Sequence, residues 1–304
     1  MKHRHWLWSL SLGLGLAIGG AVPQAAELPE RRLAQGYGDI VAVSLLQHYQ
    51  AGYPAPVLTY GMASRQVDAI HRTFVRRLME EAGPIVGYKL ALSNPQAQAQ
   101  VGVNHPLYGF LLEEMLLDSG SSLPLQFGSR PRAEGDLMVR VGSADINEAR
   151  TDAELLAALD AVFPFLELPD LVYQENSRPD AGALVAVNVG ARFGILGEEI
   201  ALADDASEQL GNIRVVLENS RGQFLAEGNS QTLLGHPVNA VRWLRDTLQL
   251  QGVELKPGDM LSLGSMTPLI DITEKELAGI QAHYFGLDSR DSVTMEVVFE
   301  GSTD

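Results

Sequence analysis

The spacing of apolar residues changes near residue 84, and this change constrains the fold more than any other feature of the chain. Residues 64–81 carry apolar side chains at 67, 70, 74, 75 and 78, which is the spacing of one helix face, and Ser64 is in a position to cap that helix. Gly83-Pro84 ends it. Residues 38–50 predict an earlier helix, so we expect a helical N-terminal portion over residues 27–83.

Short β-type runs dominate the chain from residue 84 to residue 304. Strands are predicted at 85–92, 137–141, 184–196, 213–217 and 223–226, with a hairpin turn at 219–222 and a half-buried alternating strand at 293–299. Helices are predicted at 151–161 and 237–251. Many short strands with few helices predict an α+β fold with a sandwich or barrel-like core. We expect residues 84–304 to form this β-rich domain, and to carry any activity.

The first 26 residues have the composition of a secretory signal peptide. Lys2, His3, Arg4 and His5 form a basic start, residues 6–22 are uncharged and mostly apolar, and small residues follow. An uncleaved anchor is the alternative, although 17 residues is short for a membrane-spanning helix. We therefore expect cleavage near residue 26 and a periplasmic or secreted protein without stable membrane insertion.

The charge and the cysteine count exclude several classes of protein. The formal net charge is −16, with 22 Lys and Arg against 38 Asp and Glu. Such an acidic chain is not expected to bind nucleic acid through its overall charge, and a local cation would be needed to attract an anionic substrate. The chain has no cysteine, so disulfides, thiolate metal sites and a cysteine nucleophile are excluded.

Three acidic residues lie in or next to apolar runs. Glu134 and Asp136 stand two apart in the stretch 133–141, and as a strand this stretch would place both on one face. Glu167 ends the apolar run 161–167. Close, buried carboxylates repel one another, and a hard divalent cation such as Mg²⁺, Mn²⁺ or Ca²⁺ removes that conflict. A solvated acidic strand face is the alternative reading of the pair.

Several further segments occur in a recognisable order. They are Gly-Tyr-Lys-Leu-Ala-Leu-Ser at 87–93, Val-Gly-Val-Asn-His-Pro-Leu-Tyr-Gly-Phe-Leu at 101–111, Gly-His-Pro at 235–237 and Pro-Gly-Asp-Met-Leu-Ser-Leu-Gly-Ser-Met-Thr at 257–267. With the acidic residues, this set resembles the hydratase and decarboxylase branch of the fumarylacetoacetate hydrolase superfamily, which includes 2-keto-4-pentenoate hydratases and 4-oxalocrotonate decarboxylases. The resemblance covers residues 35–300.

The resemblance implies a mixed β-sandwich roll and a divalent metal cofactor (Mg²⁺ or Mn²⁺). We also expect a homo-oligomer. It maps the metal ligands to Glu134, Asp136 and Glu167, and the active-site lysine to Lys89. The expected substrate is a small 2-oxo acid or 2-hydroxydienoic acid. Its expected binding residues are Ser265, Thr267, Tyr108, Asn188 and His236.

The chain departs from the family pattern at several pocket positions. Leu107 replaces an aspartate of the hydratases, Val187 replaces another acid, and Val172 stands where an arginine is usual. Hydration is the leading expectation, and decarboxylation follows closely because the decarboxylases also carry an apolar residue and tyrosine at 107–108. A periplasmic binding or accessory protein that kept the fold without turnover is the alternative from another class.

Overall fold

The computed structural model describes residues 29–203, 205–272 and 277–301. The predicted signal peptide lies outside these residues and stays a prediction. The α-helices are α1 (Pro29–Ala51), α2 (Ser64–Ala82), α3 (Pro95–Gln100), α4 (Asp152–Ala157), α5 (Ala181–Ala186), α6 (Ala206–Gly211) and α7 (Pro237–Leu250). None of these described helices is long and apolar enough to cross a membrane.

The strands of the described ranges form two sheets. They are β1 (Ile85–Ala91), β2 (Leu107–Leu112), β3 (Leu116–Asp118), β4 (Ser122–Pro124), β5 (Arg132–Val141), β6 (Leu159–Leu168), β7 (Phe193–Leu196), β8 (Ile200–Ala201), β9 (Arg214–Asn219), β10 (Phe224–Asn229), β11 (Met260–Ser265), β12 (Ile270–Asp271), β13 (Gly279–Phe285) and β14 (Val293–Glu300). The larger sheet has the order β2-β1-β11-β5-β6-β7-β3, with β12 beside β5 and β8 beside β6; the smaller has the order β10-β9-β13-β14-β4. The predicted α+β fold with a sandwich-like core is confirmed.

The main core lies between the two curled sheets and beneath α7. Alternate residues of β5 and β14 point into it, and the burial of β14 alternates strictly along its length. Helix α7 begins at Pro237 and lays Val241, Leu244 and Leu248 on the same core, as its helical spacing predicts. Burial of these faces supplies most of the favourable free energy of folding.

A second core joins the N-terminal helices to the rest of the chain. Helices α1 and α2 pack on each other and on residues of β2, α5 and the segment 172–173. Both helices were predicted, and α2 matches its predicted range to within one residue. This core is shared between the helical portion and the β-rich portion. The predicted division at residue 83 stays a prediction.

Two predicted elements are corrected by the structure. Residues 184–196 do not form one strand: α5 ends at Ala186, Asn188 and Val189 have left-handed backbone angles (φ 55° and 53°), and only β7 is a strand there. The helix predicted over 151–161 ends at Ala157, and the residues from Leu159 onward join β6. Their apolar side chains pair with β5, and this long-range pairing overrides helical propensity.

Candidate active site

Strands β5 and β6 place three carboxylates side by side. Glu134 lies directly opposite Glu167 in the antiparallel register, and Asp136 lies opposite Phe165. Because alternate residues of a strand share one face, Glu134 and Asp136 project to the same side. Asp136 is fully buried and Glu167 is 2% exposed. The carboxylates predicted to cluster therefore do so, on the face of β5 that also carries Met138 of a smaller apolar cluster.

Lys89 joins this acidic group from a distant strand. It lies on β1, which β11 and β5 separate from β6, and the curl of the sheet brings its ammonium group onto Oε1 of Glu167. The Lys89 side chain is 3% exposed, and its Nζ lies 3.4 Å from the carbonyl oxygen of Val189. The left-handed backbone of Val189 presents that carbonyl group to the lysine.

The ionisation of the carboxylates is strongly perturbed. Burial, followed by the charge of Glu167, raises the pKa of Glu134 to about 8, although the nearby Lys89 charge opposes this shift. Burial, then Glu167, also raises the pKa of Asp136 well above its ordinary value. Perturbed groups of this kind concentrate at functional sites. Without further positive charge, the site therefore favours the protonated forms of Glu134 and Asp136, because Lys89 alone does not neutralise three ionised carboxylates.

The carboxylate oxygens of Asp136 and Glu167 differ in the hydrogen bonds that they accept. Asp136 accepts hydrogen bonds from the Ser262 hydroxyl and from the backbone N–H of Leu137. Oε2 of Glu167 is buried and has no hydrogen-bond partner among the described residues. As the side chains stand, no three acidic or histidine residues of the described ranges are arranged to ligate a metal ion. Lys89 contacts Oε1 of Glu167, and Ser262 donates to Oδ2 of Asp136.

Ser265, the last residue of β11, and Thr267 form a short hydroxyl loop next to the acids. The Ser265 hydroxyl donates to the carbonyl oxygen of Thr267. The Thr267 hydroxyl accepts a 2.9 Å hydrogen bond from the backbone N–H of Gly135, which lies between Glu134 and Asp136. The loop is thereby attached to β5 at the acidic cluster.

These groups border a cavity of about 860 Å³. Lys89, Glu134, Ser265 and Thr267 line its inner end, and its walls are mostly apolar, with residues such as Leu171, Val187 and Leu269. Large, mostly apolar cavities with a few convergent polar groups are typical of small-molecule sites. The cavity admits a small organic molecule and brings it to the lysine and the carboxylates.

Three predicted substrate-binding residues do not line this cavity. Asn188 is fully buried, and its amide group both donates to and accepts from the backbone of Phe110, at 2.8 Å each. Tyr108 lies on β2 with its ring against Phe110. His236 caps α7 by accepting from the N–H of Val238, with its other ring nitrogen 2.9 Å from the Ser207 carbonyl oxygen. All three therefore have structural partners.

Sequence reasoning missed three residues of this region. Ser262 holds Asp136 and is the one polar residue in the run 260–263, which is a signal that could have found it. Asp170 lines the cavity and accepts from the backbone N–H groups of Ser129 and Arg130. Arg130 also lines the cavity, and nothing in its local sequence distinguishes it from the neighbouring Arg132.

The architecture is that of a solved 4-oxalocrotonate decarboxylase. The structure of that enzyme from Pseudomonas putida G7, complexed with magnesium and adipate, superposes with a TM-score of 0.73 at 23% identity, covering 88% of this chain and 98% of that one. At this identity the likeness concerns the fold. No family model matches the chain.

Relatives of known activity share the sequence at modest identity. The chain is 29% identical over 216 residues to a 4-oxalocrotonate decarboxylase from Pseudomonas putida, covering 71% of this chain and 80% of the relative. It is 25% identical over 258 residues to a 2-keto-4-pentenoate hydratase from Paraburkholderia xenovorans, covering 82% and 91%. The predicted resemblance to the hydratase and decarboxylase branch of the fumarylacetoacetate hydrolase superfamily is confirmed: the homologues of the chain carry these names.

Proposed function

We propose that this protein is a divalent-metal-dependent lyase, of the hydratase type, that acts on a small 2-oxo or 2-hydroxydienoic acid. The observation that carries the proposal is the buried Lys89–Glu167 pair beside Glu134 and Asp136 at the end of a largely apolar cavity. The homologues named 2-keto-4-pentenoate hydratase support the reaction class.

The acidic residues suit a hard cation. Three carboxylates lie together, Glu167 has a buried oxygen without a partner among the described groups, and burial, followed by repulsion from Glu167, raises the pKa of Glu134. Oxygen ligands of this kind are preferred by Mg²⁺ and Mn²⁺. Glu134, Asp136 and Glu167 would hold the ion, with Asp136 reaching one methylene less far than a glutamate. When bound, the ion would supply Lewis-acid polarisation of a substrate carbonyl oxygen.

Other residues of the cavity would move the proton and bind the substrate carboxylate. Lys89 Nζ is buried at the inner end of the cavity and would hold or move a proton at the substrate carbon chain. Ser265 and Thr267 line the cavity and would hold a substrate carboxylate; their hydroxyl hydrogens, which now go to the carbonyl oxygens of Thr267 and Pro268, would turn towards it. The apolar walls exclude water from the rest of the substrate, which strengthens these electrostatic contacts.

A direct test uses substrates of the two homologous activities. We expect purified protein with Mg²⁺ or Mn²⁺ to remove the ultraviolet absorbance of 2-hydroxypenta-2,4-dienoate, and a chelator to stop the reaction. Oxalate or pyruvate should bind in the presence of metal. Binding without turnover of any dienoate would instead support the non-catalytic accessory protein, and absence of both binding and turnover would overturn the proposal.

Decarboxylation is the second candidate function. Leu107, which is buried on β2, supplies no acid-base group, and the relative at 29% identity is a 4-oxalocrotonate decarboxylase. Release of carbon dioxide from 4-oxalocrotonate, without loss of 2-hydroxypenta-2,4-dienoate, would favour this candidate over hydration.

We also propose that the protein is exported after cleavage near residue 26 and works as a homo-oligomer. The basic and then apolar composition of residues 1–26 supports export. N-terminal sequencing of the protein from a periplasmic fraction tests the first statement, and retention of residues 6–22 in membranes would contradict it. Light scattering of the purified protein tests the second.

A further inference from the structure

The turn at residues 188–189 has a strained backbone. Asn188 and Val189 have φ angles of 55° and 53°, and Val189 is the one β-branched residue of the described ranges with a positive φ. Asparagine tolerates this conformation, but for a β-branched residue it is a true outlier. Strain of this kind persists only where the surrounding contacts impose it, and it concentrates at functional sites. The contacts that impose this turn therefore bear on the function of the site.

The side chain of Asn188 fixes the turn against the edge strand β2. Its Nδ2 donates to the carbonyl oxygen of Phe110, and its Oδ1 accepts from the Phe110 N–H, at 2.8 Å each. Only one orientation of the amide group satisfies both bonds. The turn approaches β2 this closely because residue 109 is glycine, since a Cβ there would lie 2.8 Å from the Asn188 carbonyl oxygen.

His71 of α2 adds a third hydrogen bond to the same amide group. Its Nε2 lies 3.2 Å from Asn188 Oδ1, and its ring centroid lies 5.3 Å from that of Phe110. Because a carbonyl oxygen only accepts, the imidazole Nε2 carries the hydrogen in this contact. His71 is buried, and a buried donor is costly to leave unpaired. Helix α2 is thereby linked to the turn.

The turn contacts the buried lysine of the site. Lys89 lies directly opposite Gly109 in the register of β1 and β2, and its Nζ lies 3.4 Å from the carbonyl oxygen of Val189. The ammonium group also contacts Oε1 of Glu167. Two fixed acceptors hold the head group of a lysine more narrowly than one acceptor does.

We propose that Asn188 and His71 are positioning residues for Lys89. They hold the strained turn in place, the turn presents the Val189 carbonyl group, and this group keeps Nζ at the inner end of the cavity. The inference rests on the proposed function, because it takes Lys89 to move a proton there. Asn188, which was predicted to bind substrate and does not line the cavity, then acts through the lysine.

The test removes the hydrogen bonds without forbidding the turn. Asn188→Gly places a residue that adopts positive φ freely, His71→Leu removes the donor, and His71→Gln keeps an N–H donor. Turnover is measured with Mg²⁺ on whichever of 2-hydroxypenta-2,4-dienoate and 4-oxalocrotonate the wild type accepts. In the first two variants we expect kcat to fall about tenfold and KM to change less than about twofold, because proton transfer is impaired rather than binding. His71→Gln should keep at least about half of the wild-type kcat.

A second measurement follows the lysine without turnover. The chain has four lysines, at positions 2, 89, 256 and 275, so protein labelled at the lysine ε-carbon gives few nuclear magnetic resonance signals. The signal that is lost in Lys89→Met belongs to Lys89. We expect it to shift in Asn188→Gly and in His71→Leu, and to stay at its wild-type position in His71→Gln. A merely structural role would lower the melting temperature without moving this signal.

Asn147→Gly is the matched control. The Asn147 amide group makes the same pair of hydrogen bonds with the backbone of Leu255, at 2.8 and 3.0 Å, and does not line the cavity. This variant should keep the wild-type kcat and the wild-type Lys89 signal.

The outcomes separate this role from the proposed function. An Asn188→Gly variant with unchanged kcat or an unchanged Lys89 signal would overturn the positioning role alone, as would a His71→Gln variant that behaves like His71→Leu. If the wild type turns over neither substrate, the proposed function fails. The Lys89 signal then decides the positioning by itself: a shift in Asn188→Gly supports it, and no shift overturns it.

Discussion

At the scale of single residues, the buried Lys89–Glu167 pair is the unusual feature of this protein. Taking both charges out of water is costly, and removal of one partner leaves the other uncompensated. The protein keeps the pair beside Glu134 and Asp136, whose pKa values are raised by burial and by the charge of Glu167. Such an arrangement contributes little to stability, which is consistent with selection for chemistry at this site.

Replacement of Lys89 by methionine tests this interpretation. Because Glu167 loses its only cationic partner in the structure described here, we expect Lys89→Met to lower the free energy of unfolding of the metal-free protein by about 3–5 kcal/mol. Turnover should be abolished while Mg²⁺ still binds. Lys256→Met, at an exposed lysine, is the control, and both effects should be absent from it. Turnover by Lys89→Met near the wild-type rate would contradict a proton-transfer role for Lys89.

His71 gives a prediction about pH. Burial lowers its pKa from 6.5, and the hydrogen bond with Asn188 opposes this only in part. The folded protein keeps the ring neutral while the unfolded chain takes up a proton, so the stability that this residue contributes is present above pH 6.5 and is lost as the pH falls.

Chemical denaturation at several pH values measures this effect. His71→Gln should flatten the decline in stability between pH 7.5 and 5.5 relative to the wild type, by up to about 1.4 kcal/mol per pH unit, the limit for one proton. His105→Gln, at an exposed histidine, should leave the decline unchanged. If the free energy of unfolding falls equally with pH in the wild type and in His71→Gln, His71 does not titrate as its burial implies.

At the scale of elements, the site depends on how closely neighbouring strands approach. The hydroxyl loop at the end of β11 is held between β5 and β10. On one side Gly135 donates to Thr267. On the other, a Cβ at Gly228 would lie 1.7 Å from the carbonyl oxygen of Met266. Only glycine permits this approach, so the backbone of β10 helps to place Ser265 and Thr267.

Gly228→Ala should therefore act on both stability and binding. The added methyl group must displace backbone, and we expect a loss of about 3 kcal/mol or more in the free energy of unfolding, together with weaker oxalate binding. Gly36→Ala is the matched control, because a Cβ there meets nothing within 4 Å and α1 should gain up to about 1 kcal/mol. Unchanged unfolding and oxalate affinity in Gly228→Ala would refute the close packing.

At the scale of the whole molecule, the smaller sheet fixes the acidic end of the larger one. Tyr284 of β13 is fully buried, and its hydroxyl group lies 2.8 Å from the carbonyl oxygen of Asp136 and 2.5 Å from that of Phe165. One side chain thus connects β5 and β6 beside the carboxylates. The repulsion within the cluster is resisted by the packing of the two sheets as a unit.

Metal binding should consequently stabilise the whole fold. At a hundredfold excess of free Mg²⁺ or Mn²⁺ over its dissociation constant, we expect a gain of about 2.7 kcal/mol, seen as a higher melting temperature. Glu167→Gln should lose most of this gain, and Glu148→Gln, at an exposed position, should keep it. A wild-type melting temperature that does not respond to millimolar metal would count against the metal site.

The local spacing of apolar and polar residues was sufficient to predict the elements in which this spacing is regular. The spacing of apolar residues determined α2, α7 and β14, and the two-residue alternation placed Glu134 and Asp136 on one face. These features follow from the fixed geometry of helix and strand. The family resemblance came instead from the three acidic residues and the ordered segments at 87–93, 101–111, 235–237 and 257–267.

Only the tertiary structure determined which residues that are distant in sequence contact one another. The ion pair of Lys89 with Glu167 requires the sheet to curl across two intervening strands. The irregular segment after α5, predicted as strand, turns at left-handed residues because Asn188 bonds to the backbone of β2. Arg130 and Arg132 look alike in sequence, yet only Arg130 faces the cavity. Such contacts join residues far apart in the chain, and a one-dimensional pattern does not encode them.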